Sequence, residues 1–201
     1  MKQDETRRRL IEGAIHVIAD EGLDKASTKQ IAFATSINEV YIYRCFADKE
    51  DLFAKVFDSL DEELLCETVK RFELILMTDI KEKMRWRLYF SAIWDFLLSD
   101  RNECLVYVRY FYSPYFLKHS VETHEKRFVP LVNKFKTIFK DEANVWMILN
   151  HIFNVMLDFA IKVHNGLMPD TEENSEHVFR VMYESVKQYF RSSKESEFQY
   201  E

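Results

Sequence analysis

The chain has 201 residues, of which 47% are apolar and 31% charged, with a formal net charge of −6. Its three glycines stand far apart and cannot build a phosphate-cradling loop of the GxGxxG or GxxxxGK kind, and a net negative charge argues against non-specific coating of nucleic acid. With only three Gly and three Pro, long helices and short connections are expected. No window alternates with period two between turn signals, so no sheet is expected.

Cys45, Cys66 and Cys104 form no CxxC pair, and residues 2 to 9 are charged rather than an apolar export signal. A reducing, cytoplasmic setting is the expectation. No apolar run approaches the roughly 18 to 20 residues needed to span a bilayer, so no membrane partner is expected.

Residues 4 to 21 read as the first helix, with Leu10, Ile11, Ala14, Ile15, Val17 and Ile18 at helical spacing and Gly22 as its stop. The Arg7-Arg8-Arg9 run reads as a solvated face or as an arm near phosphates. Ser27 can cap a second helix, with Gln30 at the reciprocal capping-box spacing. Thr35 and Ser36 break that helix with side chains that compete for backbone hydrogen bonds. Asn38 caps a third, very short helix, and Ile37 and Ile42 have hydrophobic-staple spacing. So short a helix is unstable alone and must be held by neighbours, which leaves an outer face for a partner. Asp48 then caps a fourth helix through Leu52, Phe53, Val56, Phe57, Leu60 and Leu64, extending toward Leu76.

Residues 27 to 46 with the following helix start resemble the helix-turn-helix of TetR-family transcriptional regulators. The residues that carry the resemblance are Ile31, Ala32, Ile37, Asn38, Ile42, Tyr43, Phe46 and the run Lys49-Glu50-Asp51-Leu52. The family pattern has Ala-Gly where Thr35 and Ser36 stand, Gly-Thr where Val40 and Tyr41 stand, and an aromatic or His at Cys45. Gly is the easy residue at positive φ, so Ser36 predicts a less common turn geometry. The resemblance implies binding to a double-stranded DNA operator. Asn38, Glu39, Tyr41 and Arg44 would then face the major groove, where Glu accepts from cytosine and Arg binds guanine bidentately. It also implies that Thr28, Tyr43 and Lys49 hold phosphates, with Lys29 beside them. Residues 1–57 hold nine Lys or Arg against ten Asp or Glu, so basic charge there is local. That is compatible with phosphate contacts, which need placement.

Farther on, Asp79 and Glu82 open a helix to about Ser99. Trp86, Tyr89, Phe90, Ile93, Trp94 and Leu97 make it apolar around much of its circumference, as a central helix would be. Residues 101 to 113 form another, interrupted by Pro114. A segment over 115 to 140 follows, with Pro130 expected to kink or break it. Residues 143 to 165 carry apolar residues on two faces, one for the body of the domain and one for a second subunit. Gly166 and Pro169 end this helix. The last helix starts at Asp170 or Thr171 and carries Phe179, Met182, Val186, Tyr189 and Phe190. The tail from Ser192 is polar and expected to fray.

The expected fold is all-α. A three-helix head with the helix-turn-helix, residues 1–47, is joined by a shared helix to a larger helical ligand-binding and dimerisation domain, residues 48–201. The resemblance implies a small-molecule effector in that second domain and a homodimer through the last two helices. Candidate lining residues are Trp86, Phe90, Trp94, Tyr107, Phe111, Phe135, Trp146, Asn150, Phe153 and Asn154, a wall suited to a flat or lipophilic molecule. Asn150 and Asn154, four apart on an apolar helix, are read as buried amides that need partners. No catalytic motif, Glu-x-x-His pair or HExxH is present, so neither an enzyme nor a metal or cofactor site is expected, and His119 and His124 do not share a helix face. The expected function is a DNA-binding regulator, a repressor released by its effector. The alternatives are a regulator without a small ligand and an all-α carrier.

Overall fold

The computed structural model describes residues 3–77 and 79–191. Eleven α-helices are formed among them: α1 Gln3–Glu21, α2 Thr28–Thr35, α3 Val40–Cys45, α4 Lys49–Arg71, α5 Glu73–Leu76, α6 Glu82–Ser99, α7 Arg101–Phe111, α8 Pro114–His119, α9 Val121–Phe135, α10 Val145–His164 and α11 Glu172–Val186. No strand occurs among the described residues, although Phe139 and Phe190 form an isolated antiparallel bridge. The fold is all-α, as the scarcity of Gly and Pro required. The polar tail from Ser192 lies outside the described residues.

Two compact units are present. The first takes the chain up to Cys66 together with Asp100–Arg127; the second takes Glu67–Ser99 and the chain from Phe128 onward. In the first, α1 packs on α2, α3 and α7. Leu10, Ala14, Ile18, Ile31, Ile42, Phe53 and Phe57 are fully or almost fully buried there. Polar contacts add to this core: Arg109 of α7 donates to the carbonyls of Ile18 (2.8 Å) and Ala19 (2.6 Å) at the end of α1. Cations at a helix C-terminus satisfy carbonyls that have no partner within the helix. Lys118 of α8 bonds Glu50 of α4 at 2.6 Å, and with His119 it lowers the Glu50 pKa.

In the second unit α6 packs on α5, α10 and α11, and α10 packs on α11. Trp86, Phe90, Phe135, Phe139 and Phe179 are buried at its centre. On α10, Val145, Ile148, Leu149, Ile152, Met156, Leu157 and Ala160 form the buried stripe. Arg87 of α6 pairs with Glu176 of α11 at 2.7 Å. His164 Nε2 of α10 lies 2.9 Å from the Leu97 carbonyl.

Several boundaries differ from those read in the sequence. The fourth helix ends at Arg71, and residues to Leu76 form the separate α5. Pro114 begins α8 at a position where its missing N–H costs nothing. The segment after it breaks at Ser120, and Pro130 is accommodated inside α9. One helix, Val145–His164, is long and apolar enough by length and composition to cross a membrane, contrary to the expectation from the sequence. In this fold it carries a core stripe against α6 and α11. His151, on the same helix, is exposed and lies 2.9 Å from Ser185 Oγ.

Candidate nucleic-acid interface and effector region

The two helices of the head are set by short-range hydrogen bonds. Ser27 Oγ accepts from the Gln30 N–H at 3.3 Å, and the Ser27 N–H donates to Gln30 Oε1 at 2.9 Å, a complete capping box at the start of α2. At its end the Ser36 N–H donates to the Phe33 carbonyl and the Ile37 N–H to the Ala32 carbonyl, both at 3.1 Å. That is the Schellman pattern, which requires a left-handed residue where Ser36 stands. Ser36 has φ 54°, the only positive φ outside glycine among the described residues. The turn therefore keeps the ordinary glycine geometry with a serine in it, rather than the altered geometry the substitution predicted. Asn38 Oδ1 accepts from the Val40 N–H at 2.9 Å and caps α3. Ile37, Ile42 and Phe46 are buried and hold the short helix in place.

Within the Arg7-Arg8-Arg9 run, Arg8 lies on the solvated face, while the half-buried Arg7 and Arg9 bond inside the head. Arg7 Nη1 donates to the Cys45 carbonyl at 2.7 Å, with its guanidinium 4.5 Å from the Phe46 ring centre. Arg9 Nη2 donates to the Thr35 carbonyl at 2.8 Å. Thr35 and Cys45 are the last residues of α2 and α3. Two consecutive odd positions of α1 thus close the carbonyl ends of both helices of the motif. Arg8 pairs on the surface with Glu5 and Glu12.

The outer side of α3 carries Val40, Tyr41 and Tyr43 at 55%, 44% and 57% exposure, with Arg44 also exposed. Three large side chains are thus left open on a six-residue helix. The Arg44 guanidinium rests 4.9 Å from the Tyr41 ring centre, which orients its donors. Asn38 is exposed, although its Oδ1 is engaged in the cap. Glu39 is half-buried and accepts from Thr28 Oγ1 at 2.6 Å, and the same hydroxyl lies 3.4 Å from the Tyr43 hydroxyl. Thr28, Glu39 and Tyr43 are thus one cluster joining the start of α2 to α3. The Lys49 ammonium stands 5.2 Å from the Phe53 ring centre at the start of α4. Lys29, next to Thr28 in the chain, lines a groove with Val17 and Phe33. Phe33, 89% exposed, was not among the candidates, and neither were Arg7 and Arg9 as helix clamps.

Residues 10–56 match the family model of bacterial regulatory proteins, tetR family. The head is that of a TetR-family regulator. No curated protein matches the sequence. Solved structures share the fold over nearly the whole chain. A TetR family transcription regulator from Marinobacter aquaeolei VT8 superposes with a TM-score of 0.75 at 16% identity, covering 96% of this chain and 100% of that one. The transcriptional regulator FadR from Bacillus subtilis, in complex with stearoyl-CoA, gives 0.65 at 21% identity over 87% and 96%. The fatty acid degradation regulator FadR from Bacillus halodurans gives 0.64 at 18% over 87% and 96%. The TetR-type head explains why a chain without enzyme motifs carries a capped, clamped pair of short helices.

Beyond this TetR-type head, the effector candidates fall in both compact units. In the second, Trp86, Phe90 and Trp94 are buried; Trp86 stacks on Phe190 with ring centres 4.6 Å apart, and Phe90 on Trp94 at 5.6 Å. Phe135 is buried beside Phe72 at 4.9 Å. On α10, Trp146, Asn150 and Phe153 are half-buried and Asn154 is exposed. Asn150 Nδ2 donates to the Trp146 carbonyl at 3.1 Å. Neither amide is the core group that the sequence suggested, because both lie off the buried stripe of their helix.

Tyr107 and Phe111 belong to the first unit, stacked at 6.0 Å. The Tyr107 hydroxyl donates to Asp61 at 3.1 Å, His124 Nδ1 lies 2.9 Å from the same carboxylate, and Arg127 pairs with it and with Asp58. Asp61 is fully buried, and these partners satisfy its carboxylate oxygens. Burial first, and then Asp61, push the Tyr107 hydroxyl well above its ordinary range. The run Asp61-Glu62-Glu63 is therefore a solvated surface only at its last two positions.

Proposed function

We propose that the protein is a ligand-responsive transcriptional repressor that reads a palindromic operator as a homodimer and is released by a small lipophilic or aromatic effector. The observation that carries the reading is the TetR family match over residues 10–56, which coincides with the capped α2–α3 pair and its open outer face. Residues 1–47 are the DNA-binding part in this reading, and 48–201 hold the effector and the dimer contact. Arg44, Tyr41, Asn38 and Glu39 face base edges, and Thr28, Lys29, Tyr43 and Lys49 face the backbone. One head reads few base pairs, so a two-fold pair of half-sites about 34 to 36 Å apart, or a related distance, is expected.

The dimer forms through α10 and α11. Met147 and Val181, 66% and 57% exposed, are apolar residues outside the buried stripes of these helices and support that role. The effector class is supported by the aromatic content of the second unit and by the stearoyl-CoA held by the Bacillus subtilis relative in fold. Effector binding favours a state in which the two heads are wrongly spaced, by no more than its differential affinity for the two states. The protein acts in the cytoplasm.

Selection of bound sequences from random duplex DNA with the purified full chain tests the reading. A recovered palindrome, released by a long-chain acyl-CoA or another lipophilic compound, is the expected result. A palindrome that no such compound releases would favour a regulator without a small ligand. Failure to enrich any sequence with a folded dimer would overturn the DNA reading.

A further inference from the structure

The second unit contains a cavity of about 160 Å³ between α5, the start of α6, the turn after α9 and the segment after α11. Its wall is apolar on one side, formed by Ile75, Ile138 and the stacked pair Trp86 and Phe190. Two guanidiniums, Arg85 and Arg191, and one carboxylate, Glu82, line the rest. Arg191 is held by the Phe139 carbonyl at 2.8 Å and by Asp141. Glu82 Oε1 accepts from the Tyr183 hydroxyl at 3.3 Å. Arg85 Nη1 donates to the Met77 carbonyl at 2.9 Å, but Arg85 Nε is buried and has no hydrogen-bond partner among the described residues. Buried donors are normally paired, and a charged one without a partner is costly. A side chain fixed at its tip and unpaired at Nε, beside an aromatic wall, is arranged for an acceptor that the described residues do not supply.

We propose that this cavity binds a small monocarboxylate with an apolar body, of the size of benzoate. The volume sets the size, because a dry cavity of about 150 Å³ takes one benzene ring. The guanidinium sets the charge, since a planar fork pairs best with a carboxylate. Asp141 already pairs Arg191, so Arg85 is the guanidinium left for the ligand anion, and the Trp86–Phe190 pair receives the ring. This deepens the effector reading of Trp86 by naming a ligand class. It does not depend on the head, because binding is a property of the second unit.

Calorimetric titration of the full chain, without DNA, with benzoate, cyclohexanecarboxylate and benzyl alcohol tests it. The two acids bind saturably and the alcohol at least about tenfold more weakly, as expected when one charge-assisted hydrogen bond is lost. Arg85→Met weakens the acids by a similar factor and leaves the alcohol unchanged, while Arg85→Lys retains part of the affinity. Ile138→Phe, which fills the cavity and keeps Arg85, removes binding of all three. No saturable binding of either acid to the wild-type chain, or equal binding of acid and alcohol, would overturn the proposal without touching the DNA reading. Acids that bind as stated but leave DNA affinity unchanged would keep the site and remove its role as the effector.

Discussion

The Arg9 guanidinium donates to the Thr35 carbonyl at 2.8 Å, so that α1 closes the end of α2 at the turn of the helix-turn-helix. Arg7 does the same for α3 at Cys45. The orientation of the short α3 depends on these two contacts as well as on its apolar anchors. Arg9→Met and Arg7→Met are each expected to lower stability by about 1 to 2 kcal/mol, the range for a charge-assisted bond at a helix C-terminus. Urea unfolding of the full chain measures this. Unchanged stability together with weaker DNA binding would return the two residues to the role of a phosphate arm.

Gly13 allows α1 and α2 to approach. A Cβ at this position would stand 2.1 Å from Thr35 Cγ2, whose hydroxyl is fixed to the Ile31 carbonyl at 2.8 Å. Thr35 is β-branched and buried, so it cannot easily turn away. Gly13→Ala should destabilise by about 1 to 3 kcal/mol, the usual cost of overpacking. Adding Thr35→Ser, which removes the clashing methyl and keeps the hydroxyl, should recover most of the loss. A thermal melt of the single and double variants decides; no recovery would place the strain elsewhere.

Ser36 at φ 54° bears the cost of a left-handed residue with a side chain. Ser36→Gly should therefore raise stability by about 1 kcal/mol, with unchanged helicity. Ser36→Val should lower it, because a β-branched side chain fits that region worst. Equal stability of the Gly and Ser forms would mean that serine relieves the strain by local hydrogen bonding.

Stability should fall on the alkaline side. Burial first, with Asp100 second, pushes the Cys104 thiol from 9.0 up to about 12. Below pH 9 the thiol is neutral in both folded and unfolded chains and its contribution is complete. Above that the unfolded chain ionises and the folded chain does not, so stability is lost as pH rises toward 12. One such group gives a slope of about 1.4 kcal/mol per pH unit. The buried Tyr107 hydroxyl, also raised, adds to the slope above its ordinary range. Cys104→Ala should flatten the decline between pH 9 and 10, measured by urea midpoints. An unchanged slope would assign the loss to the tyrosines alone.

The elements of the head were legible in the sequence because their signals are local. Ser27 with Gln30, Asn38 at a cap, and Ile42 with Phe46 in the core each depend on residues within a few positions. The long-range uses of charge were not legible. Nothing near Arg7 or Arg9 indicates that their partners are carbonyls 38 and 26 residues away. Asp61 reads as part of an acidic surface run, yet Tyr107, His124 and Arg127 hold it in a buried network assembled from three helices. The placement of the effector candidates was not legible: an aromatic at helical spacing marks an apolar face without saying which compact unit it fills. Tyr107 and Trp86 therefore looked alike in the sequence and fall in different units.

The central claim is that α3 reads DNA through its exposed face. Its most direct test is the affinity of wild type, Arg44→Ala and Tyr43→Phe for a selected duplex and for a scrambled duplex of equal length. Arg44→Ala should lose about 1 to 3 kcal/mol on the selected duplex alone, so that the preference between duplexes collapses. Tyr43→Phe should weaken both duplexes alike, as a backbone contact does. If Arg44→Ala keeps the wild-type preference, α3 is not the reading helix and the assignment of the interface is wrong.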